Sequence, residues 1–326
     1  MPRTTVAQLK VGMTLSKNAF LLRERSSSTT RAGSPMLRVT LADCTGSVPG
    51  VLFDAPGHVV ESLTVGQGVD VSGRVSEFKD QLQINIERLV PATLPHPEEF
   101  LPMARRSLQE MTAEFDQLRA SVREPSLAAL LNAVFGDAAT YRDFVHAPAA
   151  TAYHHACVGG LLEHTLSVTR LVVVACDLSP QVNRDLAVTA AFLHDLGKVR
   201  AYDPTSFART PEGYLWGHVY LGAIWVERAM DSVPGFGREL RRQVIHAILA
   251  HQGKLEYGSP KPPMTLEAIV VHHADNLDAD ERGALDYLER SEVDGQGFTE
   301  RSPMHATRLY RGQDRPAGGP EQGRLC

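Results

Sequence analysis

Two hydrophobic rhythms divide the chain. Up to about residue 90, apolar and polar positions alternate in short β-branched runs at 36–41, 48–53, 68–75 and 81–90. A period of two reads as half-buried strands, and the Asp43-Cys44-Thr45-Gly46 stretch supplies a turn. Residues 54–63 leave room for one short helix before the fourth strand. After a stretch rich in proline and acids, 94–102, the period changes to three or four. Leu108, Met111, Phe115, Leu118 and Val122 then form an apolar stripe, which predicts a helical run over 103–134. Helical patterns broken by Gly or Pro follow at 151–176, 185–199, 217–230, 238–251 and 265–287. Past 292 the chain is rich in Gly, Pro and Arg and loses periodicity. The pattern therefore predicts a β-rich domain at 1–92, a linker with accessory helices at 93–146, a helical domain at 147–292 and an irregular tail at 293–326.

Composition narrows the partners. With 326 residues, 43% hydrophobic and 22% charged, the chain suits two soluble domains. A net charge of −5 excludes a globally basic nucleic-acid binder. Any such binding must come from a local groove. Cys44, Cys157, Cys176 and Cys326 form no C-x-x-C pair, so neither thiolate zinc nor a disulfide framework is expected. Without a signal-peptide core or an apolar stretch of bilayer length, the expectation is a reduced, cytoplasmic protein with no membrane contact.

Five or so strands with one helix before the fourth predict a small Greek-key barrel of the OB type. Residues 35–54, with a strand, an Asp-x-Thr-Gly turn and a strand ending in Phe-Asp, resemble the nucleic-acid-binding OB domains of bacterial enzymes. That resemblance makes Arg38, Phe53, Arg74, Phe78 and Lys79 candidates for backbone neutralisation and base stacking. The competing reading puts Phe53 in the core and leaves Arg38 and Arg74 as solvated strand residues.

The helical half concentrates histidines beside acids and glycines: Glu163-His164, His194-Asp195, Gly217-His218, His246, His251 and Asp275. One histidine on an apolar helix reads as a satisfied core residue. Several on separate helices, one adjoining an aspartate, point to a shared metal. Imidazole with carboxylate suits Zn, Mn, Fe or Ni, and added carboxylate favours the harder ions. Two metals ~4 Å apart would clamp the attacking and leaving oxygens of a phosphoryl displacement. An aspartate such as Asp195 can bridge them with its two oxygens.

This order of ligands resembles the HD-domain metal-dependent phosphohydrolases. More narrowly, HHACVGGLLEHTLSV (154–168), AAFLHDLGKV (190–199), LWGHVYLG (215–222), HAILAHQGKLEYGSPKPPMTLEA (246–268) and HHADNLDA (272–279) resemble the YhaM-type bacterial 3′-5′ exoribonucleases. The resemblance spans roughly residues 10–290. It implies a multidomain protein, an N-terminal all-β OB-fold barrel followed by an all-α HD domain. It also implies His164, His194, Asp195 and Asp275 around one metal. Asp195 would bridge to a second site completed by His218 and one or both of His246 and His251. The chain departs from the family pattern at Gln252, where a second histidine is expected, which puts the second metal position in question.

Lys198, one turn from His194, is a candidate to hold a scissile phosphate, with a solvated helix-end lysine as the alternative. Lys254 and Lys261, in the loop after His251, are further candidates. Glu163 reads as facing water. His154, His155, His272 and His273 read as structural or supporting, with His272 the best placed. The implied activity is metal-dependent 3′-5′ cleavage of single-stranded RNA, with single-stranded DNA as a second substrate. It would use one or two divalent ions, Mn first, then Co, Fe, Ni, Mg or Zn. Two other functions stay open, a phosphodiesterase acting on a small nucleotide and a non-catalytic nucleic-acid adaptor; homo-oligomerisation is open as well.

Overall fold

The structure, a computed structural model, describes residues 3–29, 33–78, 81–94, 97–151 and 155–312. It divides into two compact units, 1–103 with 205–208, and 104–204 with 209–325.

In the first unit β1 (Thr14–Thr29) precedes the four period-two runs, which form β2 (Pro35–Asp43), β3 (Gly46–Phe53), β4 (Gly68–Phe78) and β5 (Gln81–Ala92). Helix α1 (Gly57–Ser62) precedes β4, where the residue pattern left room for it. The strands close into a barrel in the order β1-β2-β3-β5-β4. All pairings are antiparallel except β3 with β5, where Gly50 lies opposite Ile84. Closure removes the sheet edges, and alternation sets the lining. Leu37, Val39 and Leu41 are buried with Val48, Leu52, Val71 and Ile84, while Arg38 between them is exposed. The OB-type barrel expected from the order of elements is therefore present.

The second unit is helical: α2 (Leu108–Ala120), α3 (Pro125–Phe135), α4 (Ala138–His146), α5 (Gly160–Leu178), α6 (Arg184–Leu193), α7 (Lys198–Ala201), α8 (Pro211–Leu215), α9 (Gly217–Asp231), α10 (Arg238–Ala250) and α11 (Leu266–Arg290). The single run expected over 103–134 breaks into α2 and α3, because Pro125 disfavours helix in the residue before it. Glu124 takes the N-cap instead, its side chain accepting the Leu127 N–H at 2.6 Å. Helix α5 starts later than expected, at Gly160, because Gly159 holds a left-handed backbone with φ +80°. Phe115 of α2 packs on Phe135, Phe144 and Phe192, so α2 to α4 share one core with the histidine-bearing helices.

The expected irregular tail is corrected over its first part. β6 (Phe298–Ser302) and β7 (Thr307–Tyr310) pair as an antiparallel hairpin, and Arg311 donates to the carbonyls of Leu288 and Ser291 at the end of α11. Cys157 and Cys176 are buried free thiols. Among the described residues no helix is long and apolar enough to cross a membrane.

Candidate metal centre and strand groove

Helix α6 is buried from Leu186 to Leu193, so its C-terminus carries His194 and Asp195 into the interior. Carbonyls in the last turn of a helix have no partner within it. His194 uses one of them, its Nδ1–H donating to Ala191 O at 2.7 Å. His251, at the end of α10, repeats the device on Ile248 O at 2.7 Å. Both rings therefore turn Nε2 away from their own helices and toward Asp195.

The two oxygens of Asp195 face different partners. Oδ2 lies 3.2 Å from His164 Nε2, 3.4 Å from His194 Nε2 and 2.6 Å from Lys198 Nζ. Oδ1 lies 3.3 Å from His218 Nε2 and 3.4 Å from His251 Nε2. From α11, Asp275 Oδ1 reaches within 3.2 Å of His164 Nε2. His164, His194, Asp195 and Asp275 thus form one group that could hold a metal ion, and Asp195, His218 and His251 form another. In each, the potential ligand atoms lie within 4.8 Å of one another.

Asp195 Oδ1, His218 Nε2 and His251 Nε2 are buried without a hydrogen-bond partner. Buried polar atoms left unsatisfied are costly and rare. Two carboxylates and four imidazoles aimed at common points are a donor set that a divalent cation would satisfy, so the residues fit the metal that an HD domain implies.

Electrostatics hold the two carboxylates and His218 ready, while the neighbouring aspartates raise the pKa of His164 and His251, so a metal there would displace their protons. Burial alone would raise the pKa of Asp195, but the charges of Lys198 and His194 and the imidazole hydrogen bonds hold it well below the usual carboxylate range. Burial would likewise raise Asp275, yet His164 and His194 bring it to about 2. His218 is pushed down to about 3 by burial, with the charges of Lys198 and His251 adding to the effect. At neutral pH the two aspartates are therefore anions and His218 is neutral, the forms a metal requires.

Close backbone packing sets the position of His218. A Cβ on Gly197 would collide with the carbonyl oxygen of His218 and lie 2.5 Å from the amide nitrogen of Gly222. Glycine at 197 therefore lets the turn after His194-Asp195 meet the first turn of α9.

Of the residues expected from the sequence, His164, His194, Asp195, Lys198, His218, His251 and Asp275 converge. His246 does not: half-buried, it accepts the Met264 N–H on Nε2 at 2.9 Å. Lys254 is exposed beside Glu256 and Tyr257, and Lys261 is exposed. Lys198, the candidate for a phosphate, is buried with its ammonium 2.6 Å from Asp195 Oδ2.

Glu163, expected to face water, is buried and lies 3.1 Å from His155 Nδ1. Asp278, outside the ligand set expected from the sequence, accepts from His164 Nδ1 at 2.6 Å. Its position three residues after Asp275, on the same face of α11, was the available signal. His272 donates from Nδ1 to the His251 carbonyl at 2.6 Å and so supports that turn.

The barrel carries a groove of 1340 Å³ whose walls include Arg25, Arg38, Phe53, Phe78, Gln83 and Asn85. Phe53 is 54% exposed and Phe78 58%, so Phe53 lies outside the core. Val48, Gly50 and Leu52 point inward, and Phe53 takes the opposite face of β3. Arg74 is exposed on β4 but is not part of the groove wall. Lys79 lies outside the described residues.

Comparison with known proteins agrees with both halves. Residues 161–280 match the HD domain family, and residues 21–92 match an OB-fold nucleic acid binding domain. The chain is 34% identical over 265 residues to a protein of Listeria monocytogenes named 3′-5′ exoribonuclease YhaM, covering 80% of this chain and 83% of that protein. A protein of Bacillus velezensis with the same name is 31% identical over 264 residues, with the same coverage. Among solved structures, the second OB-fold domain of replication protein A from Methanococcus maripaludis is 17% identical, with a TM-score of 0.24, covering 28% of this chain and 99% of that one.

Proposed function

This chain belongs to the YhaM family of 3′-5′ exoribonucleases, and we propose that it hydrolyses single-stranded RNA from the 3′ end and releases nucleoside monophosphates. The observation that carries the reading is Asp195, whose two carboxylate oxygens each face a separate set of imidazole nitrogens, two of which, His218 Nε2 and His251 Nε2, are buried without hydrogen-bond partners.

When bound at these residues, a divalent ion supplies hydroxide at neutral pH and neutralises phosphate charge. His164, His194, Asp195 and Asp275 would hold one such ion. Asp195, His218 and His251 would hold a second, without His246. Manganese is the first expectation, because the mixed carboxylate and imidazole donors suit the harder ions of the series.

The remaining roles belong to the side chains. Lys198 compensates Asp195 and carries the only lysine ammonium brought to this cluster among the described residues, which suits it to a phosphate oxygen. Phe53 and Phe78 offer rings to bases, and Arg25 and Arg38 offer charge to the backbone. Stacking does not read the 2′-hydroxyl, so single-stranded DNA is a second substrate.

The test is degradation of 3′- and 5′-labelled single-stranded RNA with and without chelator. Mononucleotides should appear from the 3′ end only, chelator should stop the reaction, and His194→Ala should abolish it. Phe53→Ala and Phe78→Ala should each weaken strand binding by about 1–3 kcal/mol while sparing a short diester. Degradation unchanged by His194→Ala would overturn the site assignment.

A further inference from the structure

Three of the imidazoles that face Asp195 have their Nδ1 atoms oriented by identified acceptors, and one of the three differs from the others. His194 and His251 each donate Nδ1–H to a main-chain carbonyl three residues back. His164 sits in the interior of α5, where the carbonyls are used by the helix itself, and donates to a carboxylate, Asp278 Oδ2, at 2.6 Å.

Asp278 is itself held. The same Oδ2 lies 3.1 Å from His155 Nε2, and the other ring nitrogen of His155 lies 3.1 Å from Glu163 Oε2. Arg282 Nη2 stands 3.8 Å from that Glu163 oxygen. Side chains of His155, Glu163, His164 and Asp278 are all buried. His155 also holds a left-handed backbone with φ +57°, a conformation most side chains avoid and histidine tolerates better than most. Unfavourable backbone of this kind persists where surrounding contacts over-determine it.

We infer that Glu163, His155 and Asp278 are positioning residues that fix the ring and tautomer of His164, so that its Nε2 lone pair is presented to the metal position shared with His194, Asp195 and Asp275. The inference rests on the metal-centre reading above. A carboxylate accepting from Nδ1–H leaves the proton there and strengthens Nε2 as a donor. A neutral amide in its place accepts a weaker hydrogen bond and can rotate to present its NH₂ group instead.

Among the described residues the network stops short of the other oxygen of Asp195. His251 is oriented by Ile248 O and approaches Oδ1. The relay should therefore tune one metal position and leave the one at His218 and His251 untouched.

The experiment is Mn²⁺ titration of the full-length, metal-stripped protein, followed by loss of the free-ion electron paramagnetic resonance signal, for wild type, Asp278→Asn and His155→Asn. Asparagine at 155 keeps a residue that tolerates the left-handed backbone. Each variant should bind one Mn²⁺ about 10- to 100-fold more weakly than wild type, with the remaining site unchanged. Asp278→Glu, which keeps the carboxylate, should recover part of the loss. Circular dichroism melting of the metal-stripped proteins identifies any variant that fails to fold, and the other variant then decides. Wild-type binding retained in a folded variant overturns the inference and leaves the metal centre standing. Equal weakening at every site also overturns it. Absence of Mn²⁺ binding by wild type overturns the metal-centre reading and this inference with it.

Discussion

Replacing Asp195 by asparagine separates its structural load from its chemical one. The side chain is 1% exposed, and its Oδ2 sits 2.6 Å from the ammonium of Lys198, a residue only 8% exposed. At an effective dielectric of about 20, unit charges at that distance attract by about 6 kcal/mol. Desolvation of both ions offsets much of this, but removing one partner leaves the other stranded. That costs about 3–5 kcal/mol for a buried pair. In a unit of this size the melting temperature of metal-stripped Asp195→Asn should fall by about 6–20 °C.

Adding Lys198→Met in the same chain removes the stranded ammonium while keeping the aliphatic stem, and should restore most of the loss. Both proteins should remain inactive on labelled RNA, because neither can present two carboxylate oxygens. Differential scanning calorimetry in chelator gives the comparison. A single variant that melts within about 2 °C of wild type, or a double variant no better than the single, refutes the argument that Lys198 is charged and buried against Asp195.

Two further outcomes follow from the same geometry. Gly197→Ala has no backbone strain to contend with, but its methyl meets main-chain atoms of His218 and Gly222, so α9 must shift. Stability should fall by about 1–3 kcal/mol, and Mn²⁺ binding at the His218 side should weaken in the titration described above; unchanged melting and binding would remove the close-approach argument. Asp275 is held at about 2 against an ordinary value of 3.8, so its contribution to metal-free stability is fully present above 3.8 and lost as pH falls toward 2. Asp275→Asn should flatten the fall in urea midpoint over that window, and profiles that run parallel would contradict the assignment.

Much of the architecture was legible because local pattern and final burial agree. Leu37, Val39 and Leu41 alternate with polar neighbours and fill the barrel, and the apolar run before His194 packs as α6. The candidate metal ligands were legible because histidines recur on separate helical segments beside acids and glycines, with His194-Asp195 at the end of an apolar run.

Other features were set by distant partners. His246 and His251 share one helix and one motif, and only the placement of α10 turns one inward and leaves the other on the Met264 amide. Glu163 is buried because His155 and, from α11, Arg282 lie beside it. Residues 298–310 lack a strand rhythm, yet they pair as a hairpin beside α11.

By itself, then, the sequence determined the two domain types, their order and most of the residues that converge on Asp195. Those depend on short-range periodicity and on which side chains can bind a metal. The tertiary structure alone decided which oxygen of Asp195 serves which histidines, that Lys198 lies against Asp195, and that His155 and Asp278 stand behind His164. These depend on helix phase and on contacts between residues as far apart as 155 and 278, and no local pattern records such distances.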